Sequence, residues 1–185
     1  MFRILVALAS CLVASGCATA AVLGVTGVIF SEGWDSPQNY NMRSTFSARQ
    51  AAHILQYQST VVQGRVWVKT PGNLTIVGKR SRVQLIPVTA YSTEYIDAMF
   101  DGKRTSILNV SVVNLDPNFF KYVRHEVADL DGLFAFSGVP DGDYFVLSSL
   151  KWNQRVSTSD PGHARVYAIV NVRGKDRYNV VLNGL

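Results

Sequence analysis

Between residues 61 and 183 the hydrophobic positions recur mainly at every second residue. In the first such stretch, VVQGRVWVKT (61–70), Val62, Val66 and Val68 fall on one side. Arg65 and Trp67 fall on the other. A period of two in a segment rich in β-branched and aromatic residues is typical of a strand with one buried face. We therefore predict a strand here, with the valines facing a core.

Similar stretches follow, separated by short turn sequences that contain Gly, Pro, Asn or Asp. The further predicted strands are SRVQLIPVTAY (81–91), TSILNVSVVNL (105–115), FFKYVRHEVAD (119–129), LFAFSGV (133–139), DYFVLSSLKW (143–152), ARVYAIVNV (164–172) and RYNVVLN (177–183). Repeated strands with turns at short spacing are typical of an antiparallel sandwich or barrel. We expect a mainly β domain over residues 61–185.

Two segments have helical spacing instead. In STFSARQAAHILQYQS (44–59), Ser47 and Gln50 fit a capping box, which predicts a helix over residues 47–59. His53 on that helix is expected to be a partly buried, neutral histidine rather than a ligand. A second helix is predicted in STEYIDAMFDGK (92–103), with Ser92 as its cap and Gly102 at its end. The polar segment 31–43 is interpreted as a linker.

The N-terminal segment has a different pattern. Arg3 is followed by a stretch from Ile4 to Phe30 that contains no charged side chain. One positive charge, an apolar run and then small residues are typical of an export signal. An uncleaved membrane anchor is the alternative, since the uncharged stretch is long enough to span a bilayer.

The sequence ASGC at residues 14–17 resembles the lipobox of bacterial lipoproteins. The resemblance implies a signal peptide over residues 1–16 and a covalent lipid on Cys17, which would anchor the chain in a membrane. Because Ala18 rather than Asp follows, it also implies the outer membrane, with the protein facing the periplasm. Residues 17–60 would then form an apolar tether and a linker helix. Within them, residues 18–30 could lie on the bilayer, pack on the domain, pair with other copies or act only as a tether.

The segment ADLDGLFAFSGVPDGDYFVLSSL (128–150) resembles the carboxypeptidase regulatory-like, or transthyretin-like, β-sandwich. Seven residues carry the motif: Asp129, Gly132, Phe134, Phe136, Pro140, Gly142 and Tyr144. The spacing agrees, since Asp with Gly favours a tight turn and two Phe residues two positions apart share one face of a strand. The resemblance implies a sandwich that serves in adhesion, stabilisation or assembly rather than in catalysis.

Composition changes this interpretation little. The 185 residues are 48% hydrophobic and 17% charged, and the formal net charge is +5. The basic residues are scattered, which favours a mildly basic solvated surface over nucleic-acid binding. Cys11 and Cys17 are the two cysteines of the chain. With Cys17 lipidated, the mature chain would have no internal disulfide, no cysteine metal site and no thiol nucleophile.

The sequence contains no recognisable catalytic pattern. The aspartates at 129, 131, 141 and 143 lack the ligand spacing of an EF-hand and are predicted to form turns. The histidines at 53, 125 and 163 match no zinc motif. On a strand, His125 and Glu126 would point to opposite faces, and a solvated helix face explains Glu94 and Asp97. We therefore expect no enzyme activity, no metal and no cofactor other than the lipid.

Two adjacent aromatics in DPNFFKY (116–122), Phe119 and Phe120, cannot both point inward on a regular strand. One of them is a candidate interface residue; the alternative is that both are buried.

We expect a docking subunit of an envelope complex of the secretion, pilus or motor type, with other envelope proteins or copies of itself as partners. The alternative function is an envelope glycan- or ligand-binding module that uses Trp67, Trp152 or Tyr144.

Overall fold

The computed structural model describes residues 38–70, 72–107, 110–152 and 162–184. The strands are β1 (Gln38–Asn41), β2 (Val61–Lys69), β3 (Thr75–Val77), β4 (Arg82–Pro87), β5 (Thr105–Ser106), β6 (Val110–Val113), β7 (Arg124–Val127), β8 (Leu133–Phe136), β9 (Gly142–Lys151), β10 (His163–Val172) and β11 (Arg177–Gly184). The α-helices are α1 (Ala48–Ala51) and α2 (Ala90–Phe100), and 3-10 helices cover Ala52–Leu55 and Phe119–Tyr122.

The strands form two large sheets and one small one. The five-stranded sheet has the order β5-β10-β9-β4-β7, and all its neighbouring strands are antiparallel. In the four-stranded sheet, β2 pairs in parallel with β11 on one side and antiparallel with β3 and β8 on the other. β1 and β6 form a parallel pair. The chain is therefore mainly β, as the sequence predicts.

The two large sheets enclose one hydrophobic core, which makes the domain a β-sandwich. From the four-stranded sheet, alternate residues of β2 point inward, and Val62, Val66 and Val68 are at most 1% exposed. From the five-stranded sheet, Leu85 and Val146 are completely buried in the same core. The predicted alternation in β2 is thus confirmed, and the face that carries the three valines is the one that packs in the core.

A second hydrophobic cluster covers part of the other face of the five-stranded sheet. Phe145 and Leu147 of β9 point to this side, where they pack with Ile96 and Phe100 of α2. Both faces of β9 are consequently covered along residues 144–148, which are all buried. A strand covered on both faces is an uninterrupted run of buried residues rather than an alternating one.

Helix α2 begins one turn earlier than the sequence analysis predicts. Its N-cap is Thr89, whose hydroxyl accepts a hydrogen bond from the backbone N–H of Ser92 at 3.1 Å. The Ser92 hydroxyl in turn accepts one from the backbone N–H of Thr89 at 2.8 Å. Ser92 therefore completes a capping box instead of capping the helix itself. At the other end the backbone turns left-handed at Asp101, directly before Gly102.

Three other predictions of local structure are wrong. The helix expected over 47–59 is reduced to Ala48–Ala51 and a 3-10 turn, and the Ser47 side chain makes no capping hydrogen bond. Within the predicted linker, Gln38–Asn41 is a strand because it pairs with β6. In the predicted strand 119–129, residues Phe119–Tyr122 form a 3-10 helix, and only Arg124–Val127 is extended.

The predicted signal peptide, Cys17 and the apolar segment 18–30 lie outside the described residues. In the part of the chain that is described, no helix has the length and apolar character needed to span a membrane.

Candidate functional site

The first half of the 128–150 motif forms a tight turn and a core strand. A carboxylate oxygen of Asp129 accepts hydrogen bonds from the backbone N–H groups of Asp131 at 2.9 Å and Leu133 at 2.8 Å. This confirms that Asp129 forms a turn. Phe134 and Phe136 then point into the sandwich core, where they are 5% and 1% exposed. The main role of these residues is structural, since they form the turn and the core strand.

The second half of the motif is equally structural. The Tyr144 hydroxyl donates a hydrogen bond to the carbonyl oxygen of Pro140 at 2.8 Å, and the side chain is completely buried. A Cβ atom at Gly142 would lie 2.6 Å from Nε2 of His53, so only glycine fits there without displacing the imidazole. Tyr144 is therefore wrong as a candidate sugar-binding residue.

His53 is partly buried, as predicted. Its Nδ1 lies 3.2 Å from the carbonyl oxygen of Gln50, and its Nε2 is buried without a hydrogen-bond partner in the described part of the chain. Among the described residues, no three His, Cys, Asp or Glu side chains are grouped so that they could hold a metal ion.

Asp141 and Asp143 tie the start of β9 to the turn between β10 and β11. Asp143 accepts hydrogen bonds from Asn171 at 2.8 Å and from Arg173 at 2.7 Å. The hydrogen bond from Asn171 is the largest cause that lowers the pKa of Asp143, and Arg173 adds to it. Asp141 accepts a hydrogen bond from the backbone N–H of Gly174 at 2.9 Å. These contacts give both aspartates a structural role at turns.

The two adjacent phenylalanines have different surroundings. Phe119 is 2% exposed and packs against Tyr91 and Tyr95 of α2, with ring centroids 5.1 and 5.4 Å apart. Phe120 is 44% exposed. The two rings touch, with centroids 5.3 Å apart, but only Phe120 reaches the surface, so Phe119 is wrong as an interface candidate and Phe120 remains one.

The outward side of the four-stranded sheet is a surface that we call the open face. It is formed by alternate residues of three adjacent strands, which are Gln63, Arg65 and Trp67 of β2, Leu133 and Ala135 of β8, and Asn179, Val181 and Asn183 of β11. All of them are exposed or partly exposed, whereas most of their neighbours along each strand are buried. The alternation in β2 indicates Trp67 as an outward residue, but no local pattern in the sequence places the amide side chains of β11 on the same face.

The register places the polar groups of the open face in pairs. Gln63 lies opposite Asn179 and donates a hydrogen bond to its side-chain oxygen at 2.9 Å. Trp67 lies opposite Asn183. Nε of Arg65 donates a hydrogen bond to the carbonyl oxygen of Asp131 at 2.9 Å, which fixes the guanidinium beside this surface. The result is one partly exposed indole in a row of amide and guanidinium groups.

A shallow depression of about 560 Å³ lies on the same side of the sheet, lined among others by Gln63, Leu133 and Val181. Trp152 does not contribute to this surface, because it packs against the sandwich core. The structure therefore does not bring Trp67, Trp152 and Tyr144 together on one face, as the simplest aromatic platform would require.

No protein-family model and no curated protein matches the chain. The crystal structure of a Pseudomonas aeruginosa protein, provisionally described as carbohydrate binding, is similar with a TM-score of 0.64 and 26% sequence identity. The similarity covers 76% of this chain and 98% of that one. The likeness supports the β-sandwich over most of the described residues.

Proposed function

We propose that this domain is a carbohydrate-binding module and that the open face is its binding surface. The observation that carries the proposal is that Trp67 lies opposite Asn183, with the Gln63–Asn179 pair four residues away on the same exposed or partly exposed face. The provisional description of the Pseudomonas protein supports the same class of ligand. Catalysis is not part of the proposal.

The residue types suit a sugar chain. A sugar ring has an apolar C–H surface, which can lie on the indole of Trp67, and hydroxyl groups that both donate and accept hydrogen bonds. The amides of Asn179 and Asn183 also carry a donor and an acceptor each. Positions 63 and 67 are separated by about 13 Å along β2, from a rise of about 3.3 Å per residue. That span favours a chain of several sugars over a single ring.

The proposal is tested first with an array of neutral and acidic polysaccharides and peptidoglycan fragments, followed by calorimetry on whichever bind. Trp67→Ala should weaken binding by about tenfold or more, as expected for an aromatic anchor. Phe120→Ala is the matched control, since it removes an exposed aromatic from another element and should leave the affinity unchanged. No binding on the array, or equal affinity of Trp67→Ala and the parent, would refute the proposal.

We infer further that the module is held at a bacterial envelope membrane through a lipid on Cys17, facing the periplasm. The support is the ASGC sequence at residues 14–17 after an apolar run. Intact mass of the membrane-extracted protein tests it. Loss of residues 1–16 with added acyl mass, abolished in Cys17→Ala, is expected, whereas an unmodified full-length mass would indicate an uncleaved anchor.

Docking to an envelope protein or to another copy is the second candidate function. It is favoured by Val127, Leu130 and Leu133, which are 64%, 61% and 50% exposed around the turn between β7 and β8. Strand β7 is an end strand of its sheet, so its outer edge is available for contacts. Crosslinking in native membranes from Leu130→Cys should give a specific adduct that exposed Lys103→Cys does not. Absence of that adduct would count against docking at this turn.

A further inference from the structure

A groove of about 350 Å³ lies on the outer face of the five-stranded sheet, beside α2. Its floor includes Arg82 of β4, Ser149 of β9 and Arg165 of β10. Tyr95 of α2 forms part of one wall and Val112 of β6 part of another. This surface is separate from the open face, because it belongs to the other large sheet.

The sheet register places the two arginines on either side of Ser149. Ser149 lies opposite Arg165 in the β9–β10 pair, and Val83 lies opposite Ser148 in the β4–β9 pair. Arg82, one residue before Val83, therefore continues the row opposite Ser149. Since adjacent strands are about 4.8 Å apart, the two arginine Cα atoms flank Ser149 across about 10 Å. Two arginines on either side of a hydroxyl supply the donors that an oxyanion requires.

The surrounding charges favour an anion as well. None of the described residues that line the groove is acidic. Lys151, in the next row on the same face, adds a positive charge. Burial is the largest cause that lowers the pKa of His125, and the positive charge of Arg82 lowers it further. The second effect is the one expected of a positive potential on this side of the sheet.

The two arginines have complementary positions. Arg165 is partly buried, and its guanidinium donates a hydrogen bond to the carbonyl oxygen of Val110 at 3.3 Å, which holds it at the wall of the groove. Burial lowers the pKa of Arg165 because it removes the cation from water. Arg82 is exposed and can close over a ligand.

Other groups in the groove can bind a polar ring attached to the anion. Gln84 and Ser149 supply donors and acceptors. Burial raises the pKa of Tyr95, so its hydroxyl stays protonated and can donate. The side chain of Met99 supplies an apolar surface on the same wall. The volume lies within the range of small-molecule sites, about 300–1,000 Å³.

We propose that this groove binds a sugar-sized molecule that bears a carboxylate or a phosphate, with Arg82 and Arg165 holding the oxyanion above Ser149. This site goes beyond the proposed binding of sugar chains to the open face and does not depend on it. A sugar acid and a sugar phosphate share the recognised chemistry, so both are used as probes.

The test uses the detergent-extracted full chain and calorimetric titration with glucuronate, glucose 6-phosphate, glucose and inorganic phosphate. At least one of the two sugar anions should bind, and glucose should not. The stronger sugar anion indicates whether carboxylate or phosphate is preferred. Binding of inorganic phosphate as tightly as that ligand would overturn the sugar-sized part of the proposal. Binding of neither sugar anion would overturn all of it.

Variants locate the binding. Arg82→Gln, at an exposed position, should weaken binding of the sugar anion by about tenfold. Arg49→Gln removes the same charge from an exposed position on α1 and should change the affinity by less than about twofold. Trp67→Ala should leave anion binding intact, so failure of the open-face proposal is distinguishable from failure of this one. Equal weakening by Arg82→Gln and Arg49→Gln would show only a non-specific charge effect and would overturn the site.

Discussion

Tyr144→Phe isolates one buried hydrogen bond in the sandwich core. The hydroxyl donates to the carbonyl oxygen of Pro140 at 2.8 Å, four residues earlier in the chain, and the side chain is completely buried. Phenylalanine keeps the ring and its packing but leaves that carbonyl without this partner. The loss should be about 1–2 kcal/mol in the free energy of unfolding. For a chain of 185 residues this corresponds to a melting temperature lower by about 2–8 °C.

The assay is urea and thermal unfolding followed by circular dichroism. The matched control is Tyr57→Phe, because Tyr57 is 81% exposed and the same hydroxyl is removed. It should change stability by less than about 0.5 kcal/mol. The urea dependence of unfolding should stay the same in both variants, since the exposed area on unfolding hardly changes. A midpoint for Tyr144→Phe equal to that of the parent would refute the assigned role of the hydroxyl.

Three further predictions concern the elements around α2. In urea unfolding, Phe119→Ala should cost about 3–5 kcal/mol because the ring is buried, whereas Phe120→Ala should cost less than about 1 kcal/mol; equal costs would contradict the packing. Thr89→Ala should cost about 1 kcal/mol by removing the capping box, and Thr89→Ser should restore most of it. Hydrogen bonds from the Ser44 side chain and the Arg43 backbone are the main causes that lower the pKa of Glu94 from 4.5 to about 2. Because the ionised carboxylate of Glu94 is the form that accepts these hydrogen bonds, its stabilising effect is complete above about pH 4.5 and is lost as the pH falls toward 2. Over that window, the ratio of the amide hydrogen-exchange rate in β1 to that in β9 should rise as the pH falls. In Glu94→Gln this ratio should no longer depend on pH.

The strand alternation was predictable because it depends on one local rule. Val62, Val66 and Val68 point inward in the structure as their spacing indicates. The run at 144–148 also fits a strand, but its uninterrupted burial depends on α2 covering the second face. That cover comes from a segment about fifty residues earlier, and no periodicity within β9 indicates it.

The local errors arise where tertiary contacts outweigh propensity. The segment after Leu55 leaves the helix because the backbone N–H of Gln58 donates to the carbonyl oxygen of Gly138 at 3.5 Å, and the ring of Tyr57 lies against that glycine. The aromatic residues at 119–122 favour a strand by composition. They form a 3-10 helix instead, which places Phe119 beneath α2.

The candidate sites could not be predicted from the sequence, because the pairing register of the strands is what brings their residues together. Outward positions of β2 could be identified from their alternation. Their neighbour β11 lies more than a hundred residues later and pairs in parallel, so Asn183 could not be placed beside Trp67. The row of Arg82, Ser149 and Arg165 likewise combines three strands that are distant in sequence.

The two proposed surfaces differ in a way that follows from what covers each sheet. On the outer face of the five-stranded sheet, α2 and Phe119 cover the rows that carry Ile86 and Phe145. The row after these carries Gln84 and Leu147, and the third row carries Arg82 and Arg165. Covering these charges with apolar groups would cost more free energy than the burial of apolar surface would gain. The groove therefore remains where the charged rows begin. Because attraction between charges is screened by salt and stacking on an indole is not, raising ionic strength should weaken anion binding in the groove and leave binding of a neutral glycan at Trp67 unchanged.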